Sequence, residues 1–419
     1  MGVFSAFSVA LSALQAESSA IDTTGNNLAN INTTGFKGSN VDFRDMVSQA
    51  IGVGASSSSV GLGVTTPLNV QQFTQGSIQT SNSALDCAVQ GNGFFIVQNA
   101  AGQQLFTRDG SFKVDANGML QTQSGESVQG WTATSTGLNT SGAIGNIVVP
   151  AGTVLPPAAT QNFTMDLNLN ALSAADDSST FSQPIQVVDS LGGIHTLTVA
   201  FVKTGANAWT ATVTIPGTDV GVDTGPQTIG TANFTFDPAT GKLTAPAAGA
   251  PVAITISGLT DGATFPNAIN WNLYDSDGTG SITQYAQSSA LSSSTQDGST
   301  AAEMTSIAIT DGGQVMATFS NGQQKVEAQL ALANIRNPDT LTNVGSNEFA
   351  LSGATAAPAI GTAQTGGRGQ ILGTSLEASN VDMATQFTHL IVYQRGYEAA
   401  TKVITTADAM SQDLVNLIR

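Results

Sequence analysis

The sequence predicts a mainly β protein with paired N- and C-terminal α-helices and nested, discontinuous β-rich middle and outer domains. Three observations carry that expectation. No proline precedes Pro67 or follows Pro358, so both ends can be helical. Between them the apolar period shifts to two, punctuated by Asp-Gly and Asn-Gly turn signals. Residues 146–297 hold 11 Asp, no Glu and only Lys203 and Lys242 as basic residues, a composition shift that marks a separate, solvent-exposed domain.

Residues 1–24 form the N-terminal helix of an inner coiled-coil domain. Phe4, Phe7, Leu11, Leu14 and Ile21, continued by Leu28, follow a 3,4 spacing with Ser18 and Gly25 in the weak slots. Residues 25–70 connect this helix to the β-domains. Their opening, GNNLANINTTGFKG (25–38), sets four Asn beside Leu28 and Ile31. Asn competes with helical hydrogen bonding and favours caps and turns, so the helix stops here and amides such as Asn27 and Asn30 need partners.

Residues 71–146 are the first part of the middle β-domain. GNGFFIVQ (91–98) is a buried strand after a glycine turn, and FTRDGSFKVDANGML (106–120) alternates Phe112 and Val114 between Asp109-Gly110 and Asn117-Gly118. The outer β-domain, 147–297, contains strand-like HTLTVAFV (195–202), WTATVTI (209–215) and FTFD (234–237). Residues 298–363 return to the middle domain through the hairpins of MTSIAITDGGQVMATFSNGQQ (304–324). In 364–419 a linker, TGGRGQILG (365–373), precedes the C-terminal helix, where Met383 and Phe387 lead into Leu390, Tyr393, Tyr397, Ala400, Ile404, Ala407 and Leu414. Burying about seven apolar side chains per helix does not offset ordering about 25 residues, so neither helix is expected to stand alone. SNVDF (39–43) is echoed by SNVDM (379–383), a hint that the two chain ends run side by side.

With 12 basic against 29 acidic residues the formal charge is −17, which argues against nucleic acid or an anionic membrane surface as partner. No apolar run reaches the roughly 18 residues of a spanning helix, so no membrane insertion is expected. The opening carries no basic residue before Lys37, unlike a cleaved signal peptide. Cys87 is alone, which excludes an internal disulfide and reads as a small buried hydrophobe.

Phosphate-binding loops, dinucleotide fingerprints and nucleophile elbows are absent from the sequence. His195 and His389 read as satisfied or solvated imidazoles. DSDGTGSI (275–282) imitates the start of a calcium loop, but Ala286 stands where a bidentate Glu is required. No catalytic, cofactor-binding or metal residue is assigned, and the chain is read as a non-enzyme. The remote alternative is a secreted β-rich adhesin with Trp131, Trp209 and Trp271 as stacking platforms, against which stands the plainer reading of three core tryptophans.

ALSALQAESSAIDTTGNNLANINTTGFKG (10–38), VQGNGFFIV with FTRDGSFKVDANGMLQTQSGESVQGW (106–131), and LEASNVDMATQFTHLIVYQRGYEAATKVITTADAMSQDLVNLI (376–418) resemble the bacterial flagellar rod/hook axial protein family. The insert of about 150 residues is similar to the hook branch rather than to distal rod or other axial members, which stand as the alternative. The resemblance implies a structural subunit without cofactors that self-assembles into a flexible tube, a universal joint passing torque from the basal body rod to the filament. It implies an extracellular homopolymer exported by the flagellar type III apparatus without a cleaved signal peptide. Distal rod protein, hook cap and hook–filament junction proteins would be its neighbours. The self-assembly interface is expected at Phe4, Phe7, Leu11, Leu14, Ile21, Asn27, Leu28, Asn30, Ile31 and Phe36 near the N-terminus. At the other end it is expected at Met383, Phe387, Leu390, Tyr397, Ile404, Met410, Leu414 and Leu417. The Asn amides are expected to bond neighbouring subunits rather than their own chain.

Overall fold

The computed structural model describes residues 2–46, 49–51, 58–134, 137–149, 152, 154–176, 180–222, 225–265, 267–275 and 277–417, without the side chains of 2–5, 49–51, 58–60 and 414–417. The chain divides into two compact units. The first comprises Met1–Ala151, Ser306–Ala317 and Gln324–Arg419, the second Gly152–Thr305 and Thr318–Gln323.

In the first unit, helix α1 (Gly2–Ala29) packs against helix α2 (Met383–Leu417). Helix α1 continues past residue 24, the end expected from the sequence, to Ala29 and takes Asn26 and Asn27 into its last turn. Asp382 starts α2 by accepting the Thr385 N–H at 2.7 Å, an N-cap that satisfies an orphan donor of the first turn. No helix among the described residues is long and apolar enough to cross a membrane.

The β-core of this unit is built on Phe94–Gln98, which pairs antiparallel with Gln104–Thr107, Ser127–Thr132 and Leu332–Asn334. Phe94, Ile96, Phe106, Trp131, Ala333 and Phe349 are buried together, with Phe73 packed against them. Asn117-Gly118 is the expected turn: Gly118 has φ +80°, and Asp115 Oδ1 accepts the N–H groups of Asn117 and Met119. Gly110 is used differently from the turn expected at Asp109-Gly110. It lies where a Cβ would collide with the Cys87 carbonyl, and the Cys87 N–H donates to the Gly110 carbonyl at 3.0 Å, so glycine serves a close backbone crossing. Cys87 itself is fully buried, and burial pushes its thiol well above the usual range.

Two carboxyl groups in this unit, Glu126 and Glu348, are shifted in opposite directions. Ser124 Oγ donates to Glu348 Oε1 at 3.1 Å, and Thr122 Oγ1 donates to Glu126 Oε2 at 2.7 Å. Burial, then the hydrogen bond and charge of Glu126, push Glu348 up to about 7. Against the upward push of its own burial, hydrogen bonds from Ser124, Thr122 and Glu348 bring Glu126 down to about 2. An unfolded Glu loses its proton near 4.5, whereas folded Glu348 keeps it to about 7. The folded state therefore binds the extra proton in that window, and its stability falls as pH rises through it, by on the order of 1–3 kcal/mol. Glu348→Gln donates a permanent N–H in place of that proton and is expected to flatten the decline in urea unfolding between about pH 5 and about pH 8. An unchanged slope in the variant would show that the pair does not set it.

The second unit is two sheets on one core. Phe181–Val188, Ile194–Gly205, Ala208–Ile215, Gln227–Phe236 and Leu243–Ala245 form an antiparallel meander. The other sheet runs Val252–Ile254, Ile269–Asn272, Asn162–Asn170 and Ile282–Tyr285, with Ala290–Gln296 also on Asn162–Asn170. Strict alternation of buried and half-buried residues in NFTMDLNLN and AWTATVTI is the signature of strands with one wet face. Pro184 is tolerated because its strand is an edge. Trp271 stacks on Phe163 at 5.6 Å and meets Phe201 and Phe234 edge-on from the opposite sheet at 5.9 and 5.5 Å.

Candidate assembly interface

Helix α1 does not bury the apolar seam expected of it. Its buried residues are Ala10, Ala16, Ala20, Thr23, Thr24 and Asn27, a face of small and polar side chains. Part of the reason is the connecting segment, which folds back along the helix: Thr23 Oγ1 donates to Asn69 Oδ1 at 3.2 Å, and the Val64 N–H donates to Ser12 Oγ at 3.2 Å. The other part is the close approach of α2, where a Cβ on Gly396 would run into the Glu17 carboxylate. Close backbones select small residues. On α2 part of the expected seam turns inward, with Ala400 and Ala407 buried and Leu390, Tyr393 and Ile404 half-buried, while Tyr397 stays exposed.

The apolar side chains displaced from the pairing remain in solvent. Phe7 and Leu11 on α1 are 43% and 44% exposed, and Met383, Phe387, Tyr397 and Met410 on α2 are 40–57% exposed. Ile391, Val392 and Val403 are also exposed on α2. Leu14, Ile21, Leu28, Asn30 and Ile31 are half-buried. The side chains of Phe4, Leu414 and Leu417 lie outside the described residues.

Beneath the helix pair is a buried charged joint. The Lys37 ammonium lies 2.6 Å from Glu377 Oε1, and Arg108 Nη1 lies 3.3 Å from Glu377 Oε2. Lys37 also donates to the Thr74 carbonyl, Arg108 Nη2 to the Gly91 carbonyl, and the Gly76 N–H to Glu377 Oε1. Burial pulls both the Lys37 ammonium and the Arg108 guanidinium below their ordinary values, with Glu377 opposing it. Gly35, at φ +67°, passes so close to the Arg108–Asp109 backbone that a Cβ would sit 2.6 Å from the Asp109 nitrogen. One carboxylate thus ties the N-terminal connecting segment, the β-core and the approach to α2 into one unit.

Curated relatives align with nearly the whole of this chain. The flagellar hook protein FlgE of Treponema pallidum is 31% identical over 98% of this chain and 98% of its own length. That of Escherichia coli is 32% identical over 98% of this chain and 100% of its own.

The chain belongs to the flagellar hook protein family.

Family models divide this hook-family chain consistently with that membership. Residues 7–37 match the flagella basal body rod protein model, 88–168 the flagellar hook protein FlgE/F/G D1 domain, and 165–299 the flagellar basal body protein FlaE D2 domain. Residues 373–417 match the flagellar basal body rod FlgEFG protein C-terminal model. The crystal structure of Helicobacter pylori flagellar hook protein FlgE2 covers 70% of this chain and 99% of its own, with TM-score 0.52 and 15% identity, a likeness of fold.

Two expected interface residues of the hook-family chain are spent internally. Asn27 is 2% exposed, and its amide donates to the Ser39 carbonyl and to Gln386 Oε1 while accepting the Ser39 N–H. Asn30 donates to the Asn26 carbonyl and accepts the Thr33 hydroxyl. Within the single chain the helix end and the turn after it already engage these amides, Asn27 buried and Asn30 half-buried. Phe36 is likewise buried, at 7% exposure, and presents no surface.

Lys37, Arg108 and Glu377 escaped the sequence reading, since partners 340 residues apart leave no local signal. Asn380 was signalled by the SNVD echo: its amide accepts the Gly38 N–H at 2.8 Å and donates to the Gln72 carbonyl at 2.7 Å. The calcium-loop imitation is an ordinary turn in which Asp277 Oδ1 accepts the Thr279 N–H.

Proposed function

We propose that the chain is the structural subunit of the flagellar hook. It polymerises with copies of itself into a flexible tube that passes torque from the basal body rod to the filament. Its other neighbours are the distal rod protein, the hook cap and the hook–filament junction proteins. It reaches the cell exterior through the flagellar type III export apparatus. The observation that carries this reading is the set of large apolar side chains left exposed on α1 and α2. Several such side chains exposed on one helix pair mark an interaction site, and membership of the hook family supports further copies as their cover. Bending requires firm inner contacts and weak outer ones. The Asp-rich second unit supplies the weak ones, because exposed like charges form no deep lock and are screened within about 8 Å.

A distal rod or other axial subunit is the alternative within the same family. The adhesin reading has lost its platforms, for Trp131, Trp209 and Trp271 are all buried, the first two donating to the Gly142 carbonyl and Gln284 Oε1. Negative-stain microscopy of the concentrated protein is expected to show short curved tubes. Straight tubes would favour the rod alternative, and monomers alone at every concentration would end the assembly reading.

A further inference from the structure

The second unit holds a cluster of donor atoms that the assembly reading does not use. His195, 8% exposed, lies in the strand Ile194–Gly205. Its Nδ1 is 2.9 Å from Asp219 Oδ2, and its Nε2 is 3.0 Å from Asp189 Oδ2 and 3.9 Å from Asp261 Oδ2. The donor atoms of Asp189, His195 and Asp261 all lie within 4.8 Å of one another. Each carboxylate is anchored by its other oxygen. Asp189 Oδ1 accepts the Leu191 and Gly193 N–H groups, and Asp261 Oδ1 accepts the Ala263 N–H. Gly193 keeps the adjoining space open, because a Cβ there would stand 2.5 Å from Asp189 Oδ2 and 3.3 Å from Asp261 Oδ2.

Asp219 Oδ2 faces Nδ1, and Nε2, on a side chain more than nine-tenths buried, faces only the carboxylate oxygens of Asp189 and Asp261. Among the described residues no Lys or Arg pairs with these aspartates: Lys203 is held by the Ala171 and Ser173 carbonyls. A proton on Nε2 bonds Asp189 but leaves Asp261, at 3.9 Å, beyond hydrogen-bond reach. A divalent cation meets all three donors at once, and the exposure of Asp261 leaves it a position for water. A carboxylate on the far nitrogen is how metal-binding imidazoles are oriented. An imidazole with two carboxylates suits a transition ion better than Ca²⁺ or Mg²⁺, which take oxygen shells.

We propose that Asp189, His195 and Asp261 bind a divalent transition-metal cation of the Zn²⁺ class, with Asp219 orienting His195. Calorimetric titration of the full-length chain with ZnCl₂ in chelator-free buffer near neutral pH is expected to show one site per chain. Binding is expected to vanish in His195→Gln and Asp261→Asn, and to weaken about 10- to 100-fold in Asp219→Asn. Asp261→Asn keeps the Ala263 contact available, and an unchanged metal-free melting temperature certifies its fold. Zn²⁺ should raise the melting temperature of the wild type and not of that variant. No binding by the wild type, or binding that survives in both His195→Gln and Asp261→Asn, would overturn the site and leave a proton as its occupant.

Discussion

Replacing Glu377 by Gln is expected to destabilise the first unit by about 3–5 kcal/mol, because it strips the counter-charge from two buried cations while leaving both in place. Lys37 and the Glu377 side chain are fully buried, and Arg108 is 4% exposed, so water cannot take over the solvation. The Arg108 Nε already lacks a hydrogen-bond partner, so the site has no spare acceptor to offer. Urea unfolding followed by amide exchange in Phe94–Gln98 reads the effect without interference from the second unit. Adding Lys37→Met to Glu377→Gln should recover part of the loss, since one stranded charge is then removed. A loss below about 1 kcal/mol would mean that the joint is not electrostatic.

The opposite combination, normal folding with failed assembly, is expected for Phe387→Ser together with Tyr397→Ser. These side chains are 46% and 40% exposed, so their removal should change the stability of the single chain by no more than about 0.5 kcal/mol each. In the proposed polymer they would be covered by other copies. Losing about 1–1.5 kcal/mol of burial at each raises the critical concentration by roughly 30- to 150-fold, which sedimentation of the polymer measures. Polymerisation at the wild-type concentration would show that this face is not the contact. A parallel drop in melting temperature would show that it belongs to the fold instead.

Much of the architecture was legible in local chemistry. Proline-free ends, the change of apolar period from 3.5 to 2, and glycine turns around Phe94–Gln98 are properties of short stretches, and backbone geometry responds to them directly. The apolar residues on α1 were equally visible, but their direction was not. A 3,4 spacing says that Phe7, Leu11, Leu14 and Ile21 share a face, and only the packed structure says that α2, Gly63, Val64 and Asn69 leave Phe7 and Leu11 uncovered. Asn27 shows the same limit, because a sequence reveals an amide in need of partners without revealing whose.

The tetrapeptide SNVD separates the two levels within one chain. At Ser39–Asp42 it is a strand, paired antiparallel with Leu68–Gln71. At 379–382 it is irregular chain whose Asp382 caps α2. By itself the sequence determined where regular structure is possible, which residues are apolar and which known catalytic motifs it lacks, since these depend on side chains and their near neighbours. Tertiary structure alone decided which helix face was buried, that Glu377 would meet Lys37 and Arg108, and that His195 would stand among three aspartates. Except for the step of six residues from Asp189 to His195, those contacts close loops of tens to hundreds of residues, and nothing in the intervening sequence encodes the closure.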